Sequence, residues 1–309
     1  MPKRVKKVRK RTLGWWKNKI IGDVVLRLLY PVNNGFHILS ESWDNLIILD
    51  ACRYDVFKEV VSETKLKGEL EWRISRGTTT SEFLRQNFGR CPRFEDIVYV
   101  SANPMVAKFL PRDKFSTLIA AWGHGGWNEE SNTVLPETVY KLASDTIERN
   151  NDKRLIIHFL QPHAPFIGYS NLLRKHSTLK SVPLLVYDNR DTKLWSTVDR
   201  PTLLSLHKKN LLHVMPYVQQ LLEVLSGTTI ITADHGDAFG EWIHPLIPIR
   251  VYGHAERTRI PALVKVPWFR VHSVRKKETR TNRQAEENVV MTKEEEDLIN
   301  QRLTALGYS

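Results

Sequence analysis

Cysteine is scarce: Cys52 and Cys91 are the only two in 309 residues. Two cysteines make neither a disulfide framework nor an all-cysteine zinc site, and their scarcity fits a reducing, cytoplasmic setting. No apolar run approaches the roughly 18 uninterrupted residues of a membrane-crossing helix. No apolar stretch with a small-residue cleavage site follows the basic N-terminus, so no cleaved secretory signal is expected. Glycine and proline, 15 of each, are too few for a collagen-like or low-complexity chain. Acidic groups are outnumbered 34 to 46, which argues against the large negative surface of a halophilic protein. No internal repeat is evident. With 41% hydrophobic and 26% charged residues the chain can bury a sizeable core, in one large domain or two ordinary ones.

The net charge of +12 is unevenly spread. Residues 1–27 carry ten basic side chains against the single acid Asp23, a charge of +9, which leaves +3 for the remaining 282 residues. Behind the basic run, Trp15, Trp16, Ile20, Ile21, Val24, Val25, Leu28 and Leu29 recur at helical spacing. A basic, Trp-bearing amphipathic segment over 1–43 reads as an anchor to an anionic membrane surface through residues 1–30. A helix docked on the protein's own core is the plainer alternative. Nucleic-acid contact is disfavoured, because no interleaved aromatic platform accompanies the charge.

The rest reads as alternating strands and helices. Asn45–Leu49, Ile97–Ser101, Leu155–Leu160, Thr228–Thr232 and Ala262–Val266 are short apolar runs, expected as buried strands. Helices are expected after Asp50 to about Val61, over Ser81–Phe88, from Pro136, and over Thr202–Leu225 with a bend at Pro216. Residues 111–134 read as irregular and 168–200 as an insertion. Residues 271–290 form a charged linker, and Thr292 with Glu295 is a capping box opening a terminal helix. The expected architecture is α/β, a mainly parallel sheet sandwiched by helices. One α/β domain is expected over 44–270, with residues 271–309 holding the linker and a helix packing on that domain.

Ligands in such sheets bind beyond the carboxyl ends of the strands. Three expected strands end in metal-ligating side chains: Asp50, His163, and the adjacent Asp234 and His235. Carboxylates with imidazole suit Mn²⁺, Mg²⁺, Zn²⁺ or Ca²⁺. Gly77-Thr78-Thr79-Thr80-Ser81 precedes an expected helix start. A hydroxyl there serves as a nucleophile, or simply as an N-cap.

Taken in order, these segments resemble the alkaline phosphatase superfamily, in its sulfatase-like branch with lipoteichoic-acid synthases and phosphoethanolamine transferases. Asn45–Asp50 resembles the first metal-ligand strand and Gly77–Phe83 the nucleophile turn. Thr232–Gly236 resembles the Asp-His-Gly metal motif, and Gly253–Pro261 the late histidine segment. The resemblance spans about residues 44–309. It implies an alkaline-phosphatase-like core and a metal-dependent phosphoric-ester hydrolase, such as a phosphodiesterase, or a phosphoryl-group transferase. By that resemblance Asp50, Thr78, Asp234 and His235 hold one divalent ion, and Thr78 attacks to form a covalent phospho-threonine. His163 and His254 then contact substrate oxygens or protonate the leaving group. Arg53 or Arg76 neutralises the transferred group.

Two departures refine this. Formylglycine sulfatases start from Cys or Ser in a Cys-x-Pro-x-Arg turn, and a threonine cannot give that aldehyde, so sulfatase activity is disfavoured. Two-metal members place an Asp four residues before a His, whereas Phe159 precedes His163 at that spacing, so a second ion is not expected. The anchor-like N-terminus directs the expected substrate toward a lipid- or glycan-linked phosphate ester, with the protein cytoplasmic and peripheral at the inner face of a membrane. Against this stand a non-catalytic scaffold of the same fold and a nucleic-acid binder led by the basic segment. His124 and His244 are further histidines that could enter the site, Asp237 and Glu241 are supports for it, and Trp122 and Trp127 read as packing residues.

Overall fold

The computed structural model describes residues 28–123, 125–169, 198–275 and 292–306. Most of the expected basic segment, residues 1–27, lies outside the described residues, as do His124, the bulk of the insertion and most of the linker.

Among the described residues seven strands form one sheet: β1 (Asn45–Leu49), β2 (Glu69–Ile74), β3 (Phe94–Ser101), β4 (Phe115–Ala120), β7 (Arg154–Phe159), β8 (Thr228–Thr232) and β11 (Lys265–His272). Two-residue strands β5 (Trp127–Asn128) and β6 (Thr133–Val134) pair separately, and β9 (Ala238–His244) with β10 (Ile247–Gly253) makes an antiparallel hairpin. The sheet order is β2-β11-β8-β1-β7-β3-β4. The five strands from β8 to β4 run parallel, and β11 is antiparallel to both β8 and β2.

Burial explains the sequence pattern. β1 lies at the centre, and all five of its residues are buried. A strand covered on both faces needs apolar side chains on both, hence the continuous run Leu46-Ile-Ile-Leu49. Edge strand β2 is largely exposed and carries Glu69, Glu71 and Arg73, charges that discourage further strand pairing.

The helices use the other period. In α1 (Tyr54–Thr64) Val56, Phe57 and Val60 are buried. α2 (Thr80–Leu84) runs into a π-helical turn over Arg85–Gly89, and α3 (Met105–Phe109) follows β3. Pro136 opens α4 (Pro136–Arg149), which buries Val139, Ala143 and Thr146 on one face. α5 (Arg200–Val224) is capped by Asp199, whose side chain accepts from Thr202 N–H at 2.9 Å, and it continues through Pro216. Both α1 and α4 pack against α5. α7 (Lys293–Ala305) opens with the Thr292–Glu295 capping box. No helix among the described residues is long and apolar enough to cross a membrane.

Two expectations need correction. Ala262–Val266 is not one strand: Pro261–Val264 is a single helical turn, α6, started by proline's fixed φ, and β11 begins at Lys265 and continues to His272. Residues 111–134 are not wholly irregular, since Phe115–Ala120 is parallel edge strand β4. Edge position explains the miss: β4 is only part-buried and lacks a continuous apolar run.

Candidate metal centre

Four neighbouring parallel strands deliver side chains to one end of the sheet. Asp50 follows β1, Asn103 follows β3, His163 follows β7, and Asp234-His235 follow β8. Ala51 takes a left-handed φ of 58°, and its N–H donates to Asp234 Oδ1 at 3.0 Å. The His235 N–H donates to the same oxygen at 2.9 Å. Gly236 is required by packing, because a Cβ there would collide with the Ala262 carbonyl.

These bonds fix which atoms point inward. With Asp234 Oδ1 occupied, Oδ2 is left without a hydrogen bond of normal geometry. Asp50 Oδ2 accepts from the Asn103 side-chain amide, and Asp50 Oδ1 is left in the same condition. His235 Nδ1 lies 2.7 Å from the Gly236 carbonyl. That contact requires the proton on Nδ1 and leaves Nε2 with a lone pair. His235 Nε2 is 3.4 Å from Asp234 Oδ2 and 3.8 Å from Asp50 Oδ1. One ligating atom from each of these three residues lies within 4.8 Å of the other two, and all three are buried.

This set fits a divalent cation. Ligands held about 2 Å from a shared ion stand roughly 3–4 Å from one another, which is the spacing seen between His235 Nε2 and the two carboxylates. Two buried carboxylates side by side are otherwise unfavourable. Burial first, and the neighbouring Asp234 second, push the Asp50 carboxyl well above its ordinary range. Burial also pushes Asp234 upward, but His235, His158, Thr80 and the Ala51 N–H bring it below its usual value. A cation would let both stay ionised.

The threonine beside this cluster is Thr80. Its Oγ1 is 3.4 Å from His235 Nε2 and 3.4 Å from Asn103 Nδ2. It also faces both carboxylates closely enough to favour their ionised forms. The structure does not bring the Thr78 hydroxyl there. That hydroxyl lies 2.8 Å from Glu82 Oε2 and 2.8 Å from the Ala255 carbonyl, and the Thr78 N–H donates to the same Glu82 oxygen at 2.9 Å. Thr79 is the N-cap of α2, its Oγ1 accepting from Glu82 N–H at 3.2 Å.

His163 and His254 meet beside the cluster. Their Nε2 atoms are 2.9 Å apart, and the His254 ring lies 4.5 Å from that of His235. Burial, then the neighbouring His235, depresses His163 to about 4. The same causes, with His163 itself, carry His254 well below its ordinary value. A neutral pair in this contact holds a single N–H between the two nitrogens. His163 is placed by its N–H to the Asp50 carbonyl at 3.0 Å, and by the Asn210 amide on its own carbonyl at 3.0 Å.

Neither predicted arginine reaches the cluster. The Arg53 guanidinium is 4% exposed and fully engaged. It forks onto Asp55 at 2.9 and 2.7 Å, and its Nη1 donates to Glu241 at 2.7 Å and to the Asp237 carbonyl at 2.8 Å. Arg76 Nε donates to the Gly35 carbonyl at 3.0 Å. Glu241 supports the site indirectly, accepting from Arg53, from Arg200 and from the Phe239 N–H. His244 Nδ1 accepts from the Leu246 N–H in the hairpin turn, outside the cluster. Trp122 and Trp127 are buried in the main core.

Asn103 and Thr80 are the two residues that the sequence did not single out. Thr80 sat in the recognised threonine run, but nothing in the run says which hydroxyl turns inward. Asn103 follows a strand end as the aspartates do, and that position was its one signal.

His207 on α5 gives a pH prediction. Both its ring nitrogens are buried without hydrogen bonds, its ring packs on Phe239 at 5.3 Å, and Arg53, Asp55 and His163 are the charged or titratable groups around it. Burial first, and Arg53 second, hold its pKa down to about 3. The unfolded chain takes up a proton near pH 6.5 that the native chain refuses until about pH 3, so stability falls as pH drops through that window. By pH 4.5 the loss from His207 is about 2–3 kcal/mol. Denaturant titrations at pH 7.5 and 4.5 should show a smaller pH difference for His207→Leu than for the parent chain.

Three solved structures are similar to this chain. Lipooligosaccharide phosphoethanolamine transferase A from Neisseria meningitidis is 12% identical over 84% of this chain and 55% of its own length, with a TM-score of 0.48. The C-terminal periplasmic domain of phosphoethanolamine transferase EptC from Campylobacter jejuni is 13% identical over 78% of this chain and 81% of that one, TM-score 0.48. A protein of the alkaline phosphatase superfamily from Vibrio parahaemolyticus is 12% identical over 81% and 65%, TM-score 0.43. No protein-family model and no curated protein matches the chain. The chain thus spans 55% of the length of the Neisseria transferase.

Proposed function

We propose that this protein is a metal-dependent phosphoric-ester hydrolase or phosphoryl-group transferase in which Thr80, not Thr78, is the nucleophile. The observation that carries the reading is the Thr80 hydroxyl lying against a buried cluster of Asp50, Asp234 and His235, whose two inward carboxylate oxygens lack normal hydrogen bonds. Asp50, Asp234, His235 and the Thr80 oxygen would hold the ion. When bound, a divalent ion supplies positive charge that lowers the pKa of a neighbouring hydroxyl and offsets the charge of a transferred phosphoryl group.

In this reading the Thr80 Oγ–P bond forms as the bond from phosphorus to the leaving oxygen breaks, and the hydroxyl proton is released to solvent. The leaving oxygen takes up a proton from solvent, and the N–H held between His163 and His254 can donate a hydrogen bond to it as its charge develops. Water or an alcohol then attacks phosphorus, the Oγ–P bond breaks and Thr80 is restored. Asn103 is a positioning residue: its one amide nitrogen donates to Asp50 and sits beside Thr80 Oγ1. Phosphate rather than sulfate esters are the substrate class, since a threonine cannot become the aldehyde of formylglycine sulfatases. A lipid- or glycan-linked phosphate, met by a cytoplasmic protein held at the inner face of a membrane by residues 1–30, is the finer form of the proposal. Its support is the +9 charge and apolar periodicity of that segment.

The test is a panel of phosphomonoester, phosphodiester and sulfate-ester substrates with Mn²⁺, Mg²⁺, Zn²⁺ or Ca²⁺, followed by acid quenching and peptide mapping. Phosphate-ester turnover that needs an added ion, with phosphate recovered on the peptide at Thr80, is expected. Preference for the sulfate ester, or label on another residue, overturns the assignment.

A further inference from the structure

Both legs of the β9–β10 hairpin are rooted in the candidate site. β9 starts three residues after His235, and β10 ends at Gly253, next to His254. The far end carries exposed apolar side chains. Leu246 in the turn is 86% exposed and Trp242 on β9 is 47% exposed. The exposed Arg250 of β10 lays its guanidinium over the Trp242 ring, 4.1 Å from its centroid. The opposite side of the hairpin is anchored: Ile243 and Val251 are buried with Ile260 and Leu263.

The N-terminal segment meets the protein at this hairpin. Tyr30 Oη donates to the Ile243 carbonyl at 2.6 Å, and Leu29 and Tyr30 pack on the Ile243–Val251 cluster. Beside them Leu28 is 77% and Val32 70% exposed. The ten basic side chains of residues 1–27 join the described part of the chain at Leu28. Exposed leucine, valine and tryptophan therefore share one region with Arg250 and the attachment point of a +9 segment.

We propose that the β9–β10 hairpin is a membrane-contacting element, with Trp242 and Leu246 entering the interface of an anionic bilayer while Arg250 meets its headgroups. Tryptophan and arginine at a solvent-exposed tip suit that boundary, where one side is apolar and the other wet and negatively charged. A second copy of this chain is the poorer occupant, because pairing the two hairpins would set positive charge against positive charge. The consequence for a lipid-linked substrate rests on the proposed phosphate-ester reading; the contact itself does not, so vesicle binding and turnover fail independently.

The test uses the full chain and vesicles of phosphatidylcholine, alone or mixed with phosphatidylglycerol. Flotation should show binding to the mixed vesicles and little to the neutral ones. Trp242→Glu and Leu246→Glu should each weaken partitioning about tenfold, the scale of withdrawing one large apolar side chain from an interface. Trp72→Glu, at a comparably exposed tryptophan on edge strand β2, should bind as the parent does. Thermal melts of the hairpin variants should match the parent. If either variant misfolds, brominated-lipid quenching decides: in a chain whose Trp15 and Trp16 are already replaced by Phe, Trp242→Phe should lose most of the remaining quenching. Unchanged flotation of both hairpin variants, no binding by the parent chain, quenching unaffected by Trp242→Phe, or an equal loss in Trp72→Glu each overturns the proposal. So does a dimer that the hairpin variants dissolve.

Discussion

Thr80→Ala should reduce turnover of a phosphate ester about 10⁴-fold or more, while Thr78→Ala stays within about tenfold of the parent chain. The contrast follows from where each hydroxyl points. Thr80 Oγ1 is the hydroxyl beside His235 Nε2 and both carboxylates, so its loss removes the atom that would bond to phosphorus. Thr78 Oγ1 is engaged with Glu82 and the Ala255 carbonyl, so its loss costs stability, about 1–3 kcal/mol for a buried hydrogen-bonding group. The two variants should therefore separate in opposite ways. Thr80→Ala melts near the parent and is inactive, whereas Thr78→Ala melts lower and turns over. Steady-state assays and melting curves on the same preparations check both. Full activity in Thr80→Ala would remove the nucleophile assignment whatever the metal content.

That reassignment shows what a sequence of this kind conveys. Asp50, Asp234 and His235 could be read directly because a buried parallel strand must be apolar, so a charged residue at its carboxyl end stands out, and the sheet gathers such ends by construction. His163 was legible on the same ground. Side-chain direction in turns was not. Three consecutive threonines are chemically alike, and only the packed turn shows that Thr79 caps α2, Thr78 faces Glu82 and Thr80 faces the cluster. Arg53 illustrates the same limit. It stands three residues from Asp50, yet beyond the left-handed turn at Ala51 its guanidinium is captured by Asp55, Glu241 and the Asp237 carbonyl. Asn103 carries no charge to mark it, and its role exists only through Asp50 and Thr80, distant in the chain and adjacent in space.

The second large effect concerns the carboxylates. Asp50→Asn should weaken divalent-ion binding by about a thousandfold, and it should leave the ion-free protein as stable as the parent or more so. The substitution keeps the shape of the side chain, and the new carboxamide oxygen can still accept from Asn103. What it removes is the negative charge whose ionisation burial and Asp234 oppose. In the parent chain a bound ion relieves that repulsion while leaving the carboxylate ionised, so ion binding appears as stabilisation. At a free concentration a hundredfold above Kd it amounts to about 2.7 kcal/mol. Melting curves with and without Mn²⁺, Mg²⁺, Zn²⁺ or Ca²⁺ should thus show a rise of several degrees for the parent with the preferred ion and none for Asp50→Asn. In chelator the order should reverse or vanish. A parent chain unmoved by every ion, or an Asp50→Asn variant that melts far lower in chelator, would mean that Asp50 is held by the protein's own hydrogen bonds and that the cluster is no metal site.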